Sequence, residues 1–383
     1  KSLIKTKTDY EAKMYSSIAE SGANNSKTWW KLIKGIVKTQ DSTDNIPTLE
    51  TEDNCIVDDE DKAQAFNRFF INHSTIDDDN MELPNDGNIT DWNILDSIEI
   101  SEEDVYDQLI NIDITKAVGP DSISPKLLKK AAKPLAKILQ YIFNLSLKTS
   151  NFPAIWKRAN VIPLYKKGDK SDISNYRPVS LLSVVAKVFE RIIYKNVFNH
   201  FRDNYILSVH QSGFLPGCST VTQLLEVYHH LCRAADEGKE TRVVFLDISK
   251  AFDRVWHKGL LYKLRRSGIG GGLLKWFESF LKNRKQYVLI EGIKSNSSAV
   301  VSGSVQGSVL GPVIFLIFIS DMAEDLETKP KLFVDDAKIK EKIDTEEDVK
   351  EMQENLEKLY DWQRKNNMKF NGKKFQVLRY GSN

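Results

Sequence analysis

Arg242 to Leu246 (RVVFL) is a short β-branched and aromatic run that ends on a carboxylate, Asp247. Such a run reads as a buried strand. A charge at its C-terminal tip costs too much to bury unless something charged pairs with it. Beyond Ala251 the period changes, and Phe252, Val255, Leu260, Leu261 and Leu264 return at helical spacing. Thr241 to Lys263 is therefore expected to run strand, turn, helix, with one aspartate mounted on a rigid support. A structural cap accounts equally for a lone aspartate, so a second site has to decide.

Lys331 to Lys340 (KLFVDDAKIK) supplies it, reading as strand, tight turn, strand with Asp335 and Asp336 at the apex. Leu332, Phe333 and Val334 lead straight into the pair, so the acids are held near a core. Adjacent like charges raise each other's pKa unless a cation neutralises them. Hard oxygen ligands of this kind suit Mg²⁺ or Mn²⁺. With the two strands side by side, Asp247 and the Asp335–Asp336 pair converge in the layout of a two-metal site for in-line phosphoryl transfer.

In this order, FLDISKAFDRVWH, SGSVQGSVLGPVIF and FVDDAKI resemble the reverse transcriptase domain of non-LTR retrotransposons of the LINE or jockey-like kind. KAVGPDSISPKLLK and VIPLYKKGDKSDISNYRPVSLLSVVAKVFERII resemble it upstream, and the likeness covers about Asp113 to Tyr380. The resemblance implies an α+β right-hand polymerase fold with fingers and palm, the thumb absent or truncated. It divides the chain into an N-terminal helical and acidic linker region, 1–112, and a reverse transcriptase domain, 113–383. The activity implied is RNA-directed DNA polymerisation, extending a primer 3′-hydroxyl with dNTPs on an RNA template at a DNA target.

By the same resemblance Asp247, Asp335 and Asp336 are catalytic and metal-ligating, with Mg²⁺ as cofactor and Mn²⁺ a possible substitute. Lys166 or Lys167, with Arg177, would close over the triphosphate. Phe252 matches the ring under the sugar that leaves no room for a 2′-hydroxyl, although it also begins an apolar helix face. Gln306 and Gly307 match residues beside the incoming nucleotide, and Lys374 a lysine placed to protonate the leaving pyrophosphate. Asp253 is assigned to helix capping. His210 to Gly217 reads either as a nucleic-acid contact or as a plain helix entry. The resemblance also implies an upstream endonuclease domain in the same polyprotein, and a ribonucleoprotein of the cytoplasm and nucleus.

Composition agrees with an intracellular nucleic-acid partner and no membrane. The three cysteines have no ligand spacing, which suits a reduced compartment. The longest apolar run, Val313 to Ile319, is far too short to span a bilayer. The net charge of +1 hides a split. Asp41 to Asp113 holds 22 acidic residues against 2 basic ones, whereas Ile114 to His200 holds 16 basic against 4 acidic. The basic stretch is what a phosphate backbone requires; the acidic one is either a solvated tether or a mask over it.

In chain order, a helix with Trp29, Trp30, Ile33 and Val37 on its apolar face is expected first. Because the chain starts at Lys1, it reads as part of a longer frame. A helix over Asp59 to Asn72, with Ala63, Phe66, Phe69 and Phe70 inward, is expected inside the acidic stretch. Further helices are expected over Val105 to Ile112, Ser124 to Leu147, Ser183 to Phe201, Thr220 to Ala235, Gly270 to Leu281, Val309 to Leu326 and Thr345 to Lys365. Ser183 to Phe201 reads as pure scaffold, and Val349, Met352, Leu356 and Leu359 as the inward stripe of the last helix. A hairpin, Ala159 to Tyr165 with Val179 to Leu182, carries the fingers lysines. Met368 to Asn371 is expected to pair with Phe375 to Tyr380.

Val334 and Val305 depart from the alanine and proline usual in the family. Two rival readings follow: a catalytically silent nucleic-acid-binding module, and a transferase that uses the aspartates as a sugar-nucleotide clamp.

Overall fold

The computed structural model describes residues 46–50, 55–84, 93–328 and 330–381; the helix expected near Trp29 lies outside them. Side-chain caps start most helices where the sequence offers them. Asp58 accepts from the amides of Glu60 and Asp61 at the head of α1 (Asp59–Ser74), which follows a two-stranded ribbon, β1 (Leu49–Glu50) and β2 (Cys55–Ile56). A Ser101–Asp104 capping box opens α2 (Glu102–Ile110). Ser124, with proline in the first turn, opens α3 (Pro125–Lys130). The single helix expected here breaks at Ala131 (φ −98°, ψ 21°) and restarts as α4 (Ala132–Lys148).

The fingers hairpin is β3 (Arg158–Tyr165) against β4 (Tyr176–Leu181), antiparallel, with Leu164 opposite Arg177. The return strand thus begins at Tyr176, earlier than Val179, and takes Arg177 and Pro178 into the ladder. α5 (Val184–Asp203) follows, with Val184, Val188, Ile192 and Val197 buried as expected, and then α6 (Thr220–Asp236).

β5 (Glu240–Asp247) is the predicted strand. The helix after it is delayed: a 3₁₀ turn, Ala251–Arg254, is followed by extended Val255 and Trp256 before α7 (His257–Arg266). Both extended residues are fully buried, so the interruption lets two large side chains reach the core. α8 (Gly271–Leu281) leads to β6 (Arg284–Ile290), β7 (Ile293–Lys294) and β8 (Ser298–Val300). The helix expected to reach Leu326 is α9 (Gly311–Phe318), followed by a 3₁₀ turn, Ser320–Ala323. Its start is pushed back because the Ser308 hydroxyl accepts from the Gly311 amide in a tight turn, and Pro312 then fixes the first helical residues.

β9 (Lys331–Phe333), β10 (Asp336–Ile343), α10 (Glu346–Lys365) and β11 (Gln376–Tyr380) complete the chain. Met368 to Asn371 does not pair with β11; both join β5. β11 runs antiparallel along it, and Phe370 bridges Ile248 beyond its end, because the free edge of β5 offers a full ladder. The buried stripe of α10 is Met352, Asn355, Leu359 and Trp362, while Val349 is exposed.

Two sheets result, one in the order β11-β5-β10-β9 and the other β4-β3-β6-β7 with β8 on β6. One large core joins α2, α4, α5, α7, α8 and α9 to the first sheet, and a smaller one packs α1 on the second. Ile98, Ile100, Val105, Leu109 and Ile112 belong to the large core, so the packing runs without a seam across the boundary expected at 112/113. No helix among the described residues is long and apolar enough to cross a membrane.

Candidate active site

The register of β5 against β10 places Asp336 opposite Asp247. Since β10 also pairs with β9 through Asp336 and Phe333, Val334 and Asp335 form the two-residue turn. Burial, and then the charges of Asp336 and Asp247, push the Asp335 carboxyl up. The turn is strained: Val334 holds φ +60°, which a β-branched side chain adopts at a cost on the order of 1–3 kcal/mol.

The strain is held by the stretch before α6. Gln211 Oε1 accepts from the amides of Val334 (2.9 Å) and Gly213 (2.7 Å), and its Nε2 donates to the Val334 carbonyl (3.3 Å). A Cβ on Gly213 would lie 2.4 Å from Val334 Cγ2, so only glycine lets the two backbones meet. In the described structure, then, His210 to Gly217 acts as a brace for the aspartate turn.

Lys374 ends a 3₁₀ turn docked on the tip of β5, where the Asn371 amide donates to the Asp247 carbonyl (2.8 Å). Its ammonium lies 3.0 and 2.9 Å from the two Asp247 carboxylate oxygens. Across the gap, Lys166 is lowered by burial first and then by the charges of Arg177, Lys374 and Lys167, with Asp247 acting in the opposite sense.

These groups share a cleft of about 630 Å³ lined by Lys166, Arg177, Asp247, Phe252, Gln306, Asp335 and Lys374. Lys167, Asp336 and Gly307 were expected in the site but are not in its lining. Lys167 and Asp336 are exposed beside it. Gly307 acts from behind: at φ +83° its missing Cβ leaves room for the Ser180 carbonyl, which a side chain would meet at 2.5 Å. Phe252 lies in the 3₁₀ turn and not on a helix face. Its ring stacks on Phe315 (4.3 Å between centroids) and also faces the cleft.

Several functional neighbours escaped the sequence reading. Phe69, Phe70 and His73 of α1 wall one side of the cleft, and the Lys250 ammonium lies 5.4 Å from the Phe69 ring centroid. The apolar spacing of α1 was visible in sequence, but nothing local says that its partner lies more than 200 residues on: Asn67 donates to Ser298 and accepts from Gln286. Asp253 caps nothing. The N-cap of α7 is Trp256, and the Asp253 carboxyl instead lines the cleft floor, where burial pushes it up to about 6.

The loop that carries Gln306 is fixed by Glu190 of α5. Its Oε2 accepts from the amides of Val309 (2.7 Å) and Leu310 (3.3 Å), the free donors at the start of α9. Burial raises the Glu190 carboxyl and the buried Arg284 charge opposes that shift; burial in turn lowers Arg284 to about 10. α5 is therefore more than scaffold. A carboxylate beside Phe189 on the inner stripe was the available signal, since a buried charge needs a partner. Val305, next to Gln306, holds φ +57°, a conformation that the proline usual in the family excludes.

A family model described as reverse transcriptase (RNA-dependent DNA polymerase) matches residues 165–381. The RNA-directed DNA polymerase from mobile element jockey of Drosophila melanogaster is 34% identical over 224 residues, which is 58% of this chain and 24% of that protein. The probable RNA-directed DNA polymerase from transposon X-element of the same organism is 32% identical over 280 residues, 71% of this chain and 30% of that protein. The chain thus spans less than a third of the length of either relative. A solved structure of apo telomerase from Candida tropicalis, truncated from its C-terminal domain, aligns with a TM-score of 0.43 and 12% identity, covering 60% of this chain and 51% of that one. Because the family match takes in more than half of the chain, with both aspartate strands inside it, the chain belongs to the reverse transcriptase family of RNA-dependent DNA polymerases and has its α+β right-hand fold.

Proposed function

We propose that the chain is the polymerase portion of a non-LTR retrotransposon protein, extending a primer 3′-hydroxyl with dNTPs on an RNA template. One observation carries this reading: two carboxylates, Asp247 at a strand tip and Asp335 in the turn beside it, share one cleft with two cations of the fingers hairpin, Lys166 and Arg177. The donor set suits a hard divalent cation. Among the described residues no three His, Cys, Asp or Glu side chains are gathered to hold a metal by themselves. Mg²⁺ is usually held by one or two carboxylates with substrate phosphates completing its shell, which is what Asp247 and Asp335 offer, with Asp336 assisting. Mg²⁺ is the proposed cofactor and Mn²⁺ its substitute; bound there, the cation would acidify the primer hydroxyl and stabilise charge on the phosphates.

The protein's own groups have separate tasks. Arg177 offers fixed, paired donors to phosphate oxygens, and Lys166 adds a point charge. Gln306 lies beside the nucleotide, and the Phe252 edge fills the space of a 2′-hydroxyl. Lys374 holds an ammonium within reach of the leaving pyrophosphate. An RNA template, a DNA primer or target, an upstream endonuclease domain, and passage between cytoplasm and nucleus as a ribonucleoprotein belong to the same proposal. Strain at Val334 and Val305 favours a second reading, a module that binds template without turnover.

Mg²⁺-dependent dNTP incorporation on a primed RNA template separates the two. Wild type extends, whereas Asp335→Ala and Asp247→Asn fall below roughly a thousandth of it, a loss of about 4 kcal/mol. Template binding with no extension by wild type favours the silent module or a need for parts of the relatives that this chain does not span, and extension by Asp247→Asn overturns the site.

A further inference from the structure

From Ser122 to Gly168 the chain holds ten lysines and arginines and no acidic residue. α3 and α4 carry much of this charge. α4 buries Ala132, Ala136, Leu139, Phe143 and Leu147, which leaves Lys133, Lys137, Tyr141 and Lys148 outward along about 22 Å of helix. Lys126 and Lys130 of α3, the short helix immediately before it, are exposed as well. None of these five lysines joins an ion pair among the described residues. A solvated helix face normally mixes signs; this one does not. Apolar groups are set among the lysines, with Tyr141 67% and Ile138 56% exposed. No residue of α3 or α4 lines the catalytic cleft.

We propose that this face is a second nucleic-acid contact, outside the cleft, that holds the phosphate backbone of a single-stranded RNA electrostatically and stacks a base on Tyr141. Uniform positive charge complements a polyanion without regard to sequence, and an exposed aromatic among cations is how single strands are gripped. The track would hold a long template while the cleft acts on its primed end, so it adds to the polymerase reading without depending on turnover.

The test uses the full chain and two probes, a single-stranded RNA of about 40 nucleotides and a primed template of about 12, with affinity measured against salt. Lys126→Gln, Lys130→Gln, Lys133→Gln and Lys137→Gln are combined in one variant. Its slope of log affinity against log salt on the long RNA should fall by about 3, from four lost phosphate contacts at roughly 0.7 each. Tyr141→Ala should weaken the long RNA about tenfold at any salt. Neither variant should change KM or rate on the short primed template. An unchanged slope overturns the proposal and leaves a solvated face, or one masked by the chain's acidic stretch. Equal losses on both probes overturn it too, because the lysines would then act through the cleft or the fold. If wild type binds the long RNA but never extends the short one, the polymerase reading fails while the slope still decides the track.

Discussion

Two carboxylates of this molecule each face a cation, and they are built in opposite ways. Asp247 meets Lys374 at the mouth of the cleft, where the lysine side chain is 56% exposed and the aspartate 20%. Glu190 is closed inside α5, 1% exposed, with Arg284 at 4%. The first pair is positioned by a backbone ladder and would stay in place without its charges. The second is itself what holds a loop, since the Gln306 turn has no strand or sheet to define it. Backbone register fixes Asp247, and a buried charge fixes the loop that carries Gln306.

Glu190→Gln should give the largest effect on this contrast. It leaves a buried guanidinium uncompensated, which costs roughly 3 kcal/mol. Melting temperature should drop, and KM for dNTP should rise about tenfold with kcat nearly unchanged. A lowered kcat at constant KM would show that Glu190 supports the chemistry and not the loop. Asp253→Asn comes next and depends on pH. Burial lifts the Asp253 carboxyl from 3.8 to about 6, so the folded state holds its proton more tightly than the unfolded one. Stability is therefore lost as pH rises from about 4 to 6 and stays lost above that. The variant and wild type should melt together at acid pH, and the variant should be more stable above neutrality by on the order of 2 kcal/mol. A pH-independent difference would sink the assignment. The smallest effect on stability belongs to Lys374→Gln, under about 1 kcal/mol by denaturant melts, because an exposed ion pair contributes little. A loss as large as that of Glu190→Gln would erase the contrast.

The same division decides what could be read from sequence. Asp247 and Asp335 were legible because a strand's period is local and a two-residue turn fixes which residues face each other across the ladder. The breaks at Ala131 and Val255, and the late start of α9, were not, because local patterning cannot tell a continuous helix from one interrupted to bury a large side chain. Asp253 was misread as a cap since its carboxyl is defined by what covers it and not by its neighbours in sequence. Phe69 and His73 were invisible as cleft residues for the same reason: the wall they form exists only once the second sheet has folded beneath α1.

That distance in sequence sets a schedule for synthesis. The partners of Asn67 and Ser74 lie near residues 298 and 302, so α1 leaves the ribosome long before the surface it must cover. At about 5–20 residues per second the interval is on the order of ten seconds or more. Phe66 meets part of its native surface at Tyr176 along the way, but the helix stays partly uncovered until Val288 and Ile290 have been made, and over that interval its aromatic face is open to a chaperone.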